Sequence, residues 1–266
     1  MNHRLQNRLF VVLRYVLLLG LLAFVSFQVF AHGLGNKIYP SIHGLCPFGG
    51  LESLLAYVAY DGATLGKIFS GTMALFFVFL ILTLLFRRAF CGLLCPFGTM
   101  QELFGNLGVK VFGRRLVMPY LPDRILRYAK YVVLLITVAM AWLTGTLWFQ
   151  TYDPWTAFGH ILSLDELLSA YLIGFIVLLV TLVGSFFYDR FFCKYFCPLG
   201  AVNAILGKFS HLIVRRDAEA CINCSLCSQA CPANIDVEHE LSVTSAECLS
   251  CGKCVAACPK KGALDF

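Results

Sequence analysis

The spacing of cysteines carries the chemistry of this 266-residue chain. Two runs within its last 46 residues read Cys221-Ile-Asn-Cys224-Ser-Leu-Cys227-Ser-Gln-Ala-Cys231-Pro232 and Cys248-Leu-Ser-Cys251-Gly-Lys-Cys254-Val-Ala-Ala-Cys258-Pro259. Each is C-x2-C-x2-C-x3-C-P. That pattern presents three thiolates to one [4Fe-4S] cluster and sends the fourth, beside proline, to the neighbouring cluster. The expected ligands are Cys221, Cys224, Cys227 and Cys258 for a first cluster, and Cys248, Cys251, Cys254 and Cys231 for a second. C-x2-C pairs also bind zinc. Two consecutive four-cysteine runs, both closing in Cys-Pro, favour iron-sulfur.

Four more cysteines form two related pairs. Cys91-Gly-Leu-Leu-Cys95-Pro96-Phe97-Gly98 and Cys193-Lys-Tyr-Phe-Cys197-Pro198-Leu199-Gly200 align without a gap, and each leads into an apolar-polar stretch ending in glycine, Gly105 or Gly207. Each pair also follows an apolar segment that closes in basic and aromatic residues. The chain therefore holds a duplicated unit of helix, cysteine pair and short amphipathic helix. A spacing of four puts both thiols on one helix face, and the proline either ends that helix or begins the next. If the copies pack together, Cys91, Cys95, Cys193 and Cys197 converge on a membrane-embedded metal or iron-sulfur site. The plainer reading is a turn motif whose cysteines pack as small apolar residues. A degenerate third copy, His43-Gly-Leu-Cys46-Pro47-Phe48-Gly49, has Ile42 where the earlier cysteine would stand. Cys46 is then a ligand with a partner from elsewhere, a docking thiol, or inert.

Elements that position these residues must sit in a bilayer. The chain is 59% hydrophobic and 14% charged, where soluble domains run near a quarter charged, and its mean hydropathy is +0.77. Crossing hydrocarbon takes roughly 20 apolar residues as helix. Residues 9–31, 68–86, 131–149 and 170–188 are expected to do so, with Arg14 near enough to one end to snorkel. The first stretch ends in Val-Phe-Ala before His32, like a signal-peptide cleavage site, but its length reads as an uncleaved anchor. Lys and Arg gather before the first span, between the second and third, and after the fourth. The positive-inside rule then puts both termini and all eight C-terminal cysteines in the cytoplasm, where thiolates stay reduced and free for metal. Tyr39, Trp148, Tyr152 and Trp155 are expected in the opposite interfacial belt. The expected fold is an all-α, internally duplicated four-helix transmembrane domain over residues 1–215, followed by an α+β 2[4Fe-4S] ferredoxin domain over residues 216–266.

With these motifs in view, the chain resembles the membrane polyferredoxins of the NapH/NosR/CcoG type, a group that also includes MauN. The resemblance covers about residues 68–266 and rests on Cys91/Cys95-Pro96, Cys193/Cys197-Pro198 and the two ferredoxin runs. The compact layout is closest to NapH, without the flavin-binding domain of NosR-like members or the β-domain of CcoG-like ones. The resemblance implies a quinol dehydrogenase-like electron-transfer subunit in the bacterial cytoplasmic membrane. It would pass electrons between the quinone pool, or a membrane redox partner, and an iron-sulfur or flavin partner protein. The alternative it implies is a redox maturation factor for a metalloenzyme.

Other classes are disfavoured. There is no Walker loop and no G-x-G-x-x-G. The net charge of +6 comes without the aromatic-basic interleaving that stacks bases, so no nucleic-acid partner is expected. No histidine lies mid-span to hold a haem. The expected spans carry no ionisable residue but Arg14, which disfavours an ion pump. Quinone needs an apolar pocket with a few titratable groups. His32, His43, Glu52, Asp61, Asp153 and His160 are candidates on the outer side and Glu102 on the inner, with Asp189 expected to pair with Arg190.

Overall fold

In a computed structural model, residues 3–33, 46–59, 69–145, 148–210 and 212–265 are described. His43, Tyr39 and Asp61 lie outside the described residues. The first half runs α1 (His3–Gly33), α2 (Pro47–Ala59), α3 (Phe69–Phe86), a π-helical turn Phe90–Leu94, and α4 (Pro96–Phe112). The second half runs α5 (Tyr120–Thr144), a 3-10 turn Trp148–Thr151, α6 (Pro154–Gly159), α7 (Leu164–Ser169), α8 (Leu172–Phe187), α9 (Phe191–Tyr195) and α10 (Pro198–Leu206). The duplication is therefore larger than the cysteine pairs alone suggest. Each half holds a long helix, a short helix opening at proline, an apolar helix, a cysteine turn and an amphipathic helix.

Among the described residues, two helices are long and apolar enough to cross a bilayer, Leu9–Gly33 and Tyr120–Thr144, while Thr72–Phe86 and Leu172–Phe187 are shorter. At 1.5 Å per residue, α3 reaches about 27 Å and α8 about 24 Å, a little under the hydrocarbon thickness of about 30 Å. All four carry large apolar side chains on their outer faces, such as Val16, Ile81, Leu135 and Val183.

The third apolar stretch departs from the expectation of residues 131–149. Its helix starts at Tyr120 and stops at Thr144. Asp123 in the first turn suits the positive end of the helix dipole and pairs with Arg127 one turn on. Gly145, with φ of 64°, ends the helix in the left-handed conformation. Arg124, Arg127 and Lys130 are thus helical rather than loop residues. Arg14 does not snorkel either. It is 2% exposed and its guanidinium grips Glu102 through two hydrogen bonds of 2.9 and 2.6 Å.

Close helix crossing holds the halves together. Gly108 on α4 faces the Phe186 carbonyl of α8, leaving no room for a Cβ. The C-terminal unit is small: β1 (Arg215–Arg216) pairs antiparallel with β2 (Leu264–Asp265), Arg215 opposite Asp265. α11 (Leu226–Ala230) and α12 (Lys253–Ala257) pack beside them, over a core that includes Val214, Val237, Val243 and Leu264.

Candidate iron-sulfur centres and their seat on the membrane helices

The two C-terminal runs fold around two cavities. One is lined by Cys221, Cys224, Cys227 and Cys258. The other is lined by Cys231, Cys248, Cys251 and Cys254. The last cysteine of each run crosses to the other cavity, because Cys-Pro turns the chain away. Left-handed backbone bends each run: Asn223 and Ser225 in the first (φ 49° and 58°), Ser250 and Gly252 in the second (φ 48° and 69°). All thirteen cysteines are free thiols. Among the described residues, which include every cysteine, no three thiols lie within 4.8 Å of one another. Thiolates around one zinc sit about 3.8 Å apart, as a Zn–S bond of about 2.3 Å in tetrahedral geometry requires. As placed, the thiols are too far apart to close on a single ion.

This unit is bolted to the membrane helices by charge. Glu247 takes Arg88 at 2.6 Å and also Lys130. Arg87 donates to the carbonyls of Val243 and Thr244, at 2.6 and 2.9 Å. Lys253 meets Glu102 at 2.7 Å. Glu102 also holds Arg14 and Arg190, each at 2.6 Å. Burial opposes these carboxylates, but the cations around them win: Glu247 is held down at about 2 and Glu102 well below the usual carboxylate range. Leu249 and Cys251 pack directly on Cys91. Gly92 permits that approach, since a Cβ there would overlap the Leu249 carbonyl.

The duplicated units exchange contacts around their cysteine turns. Arg88 donates to the Cys193 carbonyl at 3.3 Å, and Arg190, its counterpart, donates to the Cys91 carbonyl. The Gln101 amide donates to the Cys193 thiol at 3.2 Å, and Asn203, its counterpart, to the Cys91 thiol at 3.1 Å. Neither amide stood out in the sequence, although both occupy one position of the aligned repeats. Asp189 pairs with Arg115, not with Arg190.

Cys95 and Cys197 face elsewhere. Each caps the helix that follows, its sulfur accepting from the amide of Gly98 or Gly200 at 3.4 Å, with proline at the first helical position. Both line a third, largely apolar cavity together with Cys46 and Asp153. Cys91 and Cys193 do not line it. Trp155, expected in an interfacial belt, is buried against this cavity, in edge contact with Phe97.

Of the other outer candidates, Glu52 is buried, accepts from the Phe149 amide at 3.3 Å, and is raised by burial to about 8. His160 stacks on Tyr171, and His32 is half-buried at the end of α1.

The family model described as "4Fe-4S binding domain" matches residues 71–115 and 171–216, and "4Fe-4S dicluster domain" matches residues 213–259. YccM of Escherichia coli, named for electron transport, is 34% identical over 208 residues, 77% of this chain and 58% of its own length. An uncharacterized protein of Methanocaldococcus jannaschii is 31% identical over 202 residues, 74% of this chain and 76% of its own. The methylamine utilization ferredoxin-type protein MauN of Paracoccus denitrificans is 32% identical over 147 residues, 54% of this chain and 48% of its own. The chain thus spans little more than half of the Escherichia coli relative. No solved structure matches. A mostly helical fold with two cysteine-turn repeats and a dicluster unit defines an iron-sulfur electron-transport protein. The chain belongs to the membrane ferredoxin-type family of the NapH/NosR kind.

Proposed function

We propose that this chain is a four-span subunit of the cytoplasmic membrane that carries electrons between membrane quinone, or a membrane redox partner, and an iron-sulfur or flavin protein on the cytoplasmic side. The observation that carries this reading is the pair of four-thiol cavities docked on the duplicated cysteine turns. Cys221, Cys224, Cys227 and Cys258 would hold one [4Fe-4S] cluster, and Cys231, Cys248, Cys251 and Cys254 the other. When bound, such clusters supply one-electron transfer near the surface of the small C-terminal domain.

The chain's own residues do the rest. Glu247 and Lys253 fix the domain in one orientation, with Cys251 against Cys91. Cys221 and Cys258 lie on the far side, half-buried, with Cys224 exposed, so the Cys221 cavity faces a soluble partner. α3 and α8 serve as the second and fourth spans. After each of them the helix is broken at a cysteine turn, and such breaks are tolerated at membrane depth where the backbone is buried in protein or lines a cavity.

The test is ligation, cysteine by cysteine. Cys258→Ser should perturb the cluster of the first run and Cys231→Ser that of the second, each leaving the other's EPR signal intact after anaerobic dithionite reduction. If each variant instead disturbed the cluster of its own run, the crossed arrangement would be wrong. Stoichiometric zinc in place of iron and labile sulfide would sink the electron-transfer reading altogether.

A further inference from the structure

Four residues of this chain occupy one structural position. Cys46, Cys95, Asp153 and Cys197 each immediately precede a proline that opens a helix, α2, α4, α6 and α10. The fold brings all four to the walls of one cavity. Two come from the segments after α1 and α5, and two from the turns after α3 and α8, so the site joins the two ends of the bundle. Phe48, on the first turn of α2, belongs to the same buried cluster as Phe79, past the middle of α3. The cavity therefore lies within the depth of the helices, not at their rim.

Its chemistry is specific. Phe90, Phe97, Phe149, Trp155 and Phe192 wall it, and among the described residues no lysine or arginine lines it. Backbone amides point at the ligand-type atoms: Gly98 at the Cys95 sulfur and Gly200 at that of Cys197, both 3.4 Å, and Trp155 at Asp153 Oδ1, 3.3 Å; the Gly49 amide donates to the Cys46 carbonyl at 3.1 Å. Amide donors and the positive ends of α2, α4 and α10 stabilise thiolates in this largely apolar site, and the Arg190 guanidinium adds its charge near Cys95. The three thiols are half-buried and are spread too widely to close on a single zinc ion. The Cys91 and Cys193 thiols are already engaged by Asn203 and Gln101 and face away.

From this convergence we infer that Cys46, Cys95, Cys197 and Asp153 bind a membrane-embedded iron-sulfur cluster through three thiolates and one carboxylate. The inference deepens the electron-transfer reading above and rests on it. It differs from a site built by the two C-x3-C-P pairs, because it takes one cysteine from each pair and draws the other two ligands from the opposite end of the bundle. Asp153-Pro154 is then the second half's version of Cys46-Pro47.

The experiment is metal analysis with EPR on the full chain, purified anaerobically in nanodiscs. The two C-terminal clusters account for about eight iron per chain. The wild type should exceed eight, with a third centre beside the two ferredoxin signals. Cys46→Ser and Asp153→Ala should each remove the extra iron and the third signal and leave the other two unchanged, which shows that the variants have folded. Asp153→Cys should keep the iron and change the third signal. Cys193→Ser should keep the third centre. The inference is overturned if the wild type holds only eight iron, if a quinone copurifies in place of extra iron, or if the third centre survives Cys46→Ser and Asp153→Ala but is lost in Cys193→Ser. In each of these outcomes two intact ferredoxin signals would leave the proposed function standing.

Discussion

Glu102→Ala is expected to destroy the assembly of the membrane helices and release the ferredoxin unit from them. One carboxylate, 1% exposed, neutralises Arg14 of α1, Arg190 before α9 and Lys253 of the ferredoxin unit. Tyr15 adds a hydrogen bond at 2.9 Å. Removing one partner of a single buried ion pair costs about 3–5 kcal/mol, because the other charge stays buried alone. Here three cations lose their counter-ion together, so the cost should reach at least that range, a large share of the 5–15 kcal/mol typical of a whole domain. Thermal denaturation and size-exclusion profiles in detergent check this. Glu102→Gln separates charge from shape, since it keeps the side-chain volume and an acceptor while removing the charge, and it should fail nearly as badly. A monodisperse Glu102→Ala protein with the wild-type melting temperature would show that the network is structurally idle.

Gly92→Val should give the opposite phenotype, a folded protein that is electrically divided. The Gly92 position lies against the Leu249 carbonyl, between the first cysteine turn and the second four-thiol cavity. A side chain there must push Leu249, and with it Cys251, off Cys91. Overpacking of this kind costs about 1–3 kcal/mol, which lowers the docking equilibrium constant roughly 5- to 150-fold, at about 1.4 kcal/mol per decade. Both ferredoxin EPR signals should persist after dithionite, while reduction from the membrane side slows as Cys251 is pushed away from Cys91. Wild-type transfer in Gly92→Val would mean that electrons enter the ferredoxin unit by another face.

How much of this was legible in the sequence varied with the kind of signal. The ferredoxin runs were readable because cluster ligation demands fixed spacing within one short segment; in the structure their thiols line two cavities. The apolar helices were readable from hydropathy, but not their ends. α5 begins eleven residues before the expected 131 because its first turns are stabilised by ion pairs that hydropathy does not register. Arg14 read as a snorkelling residue because its partner Glu102 lies 88 positions away. Asp153 was noticed only as an outer-side carboxylate. Its equivalence to Cys46 is hidden because the shared feature is a position before a helix-opening proline, not a residue type. A search for X-Pro-aromatic in both halves, Cys46-Pro47-Phe48 against Asp153-Pro154-Trp155, would have found it. The exchange of Gln101 and Asn203 between repeats could not be read at all, since a gapless alignment shows that the positions match and not that each serves the other copy's cysteine.

Anaerobic addition of a quinol to the wild-type chain in nanodiscs, with the ferredoxin clusters followed by EPR and visible bleaching, decides whether the membrane helices conduct electrons to the docked unit. Electron passage through the docked unit predicts that a quinol of sufficiently low potential reduces both clusters, and that Gly92→Val slows this without altering reduction by dithionite. Clusters that dithionite reduces fully but no quinol or membrane redox partner reduces or oxidises would contradict the account, and would leave the duplicated membrane unit as an anchor rather than a conductor.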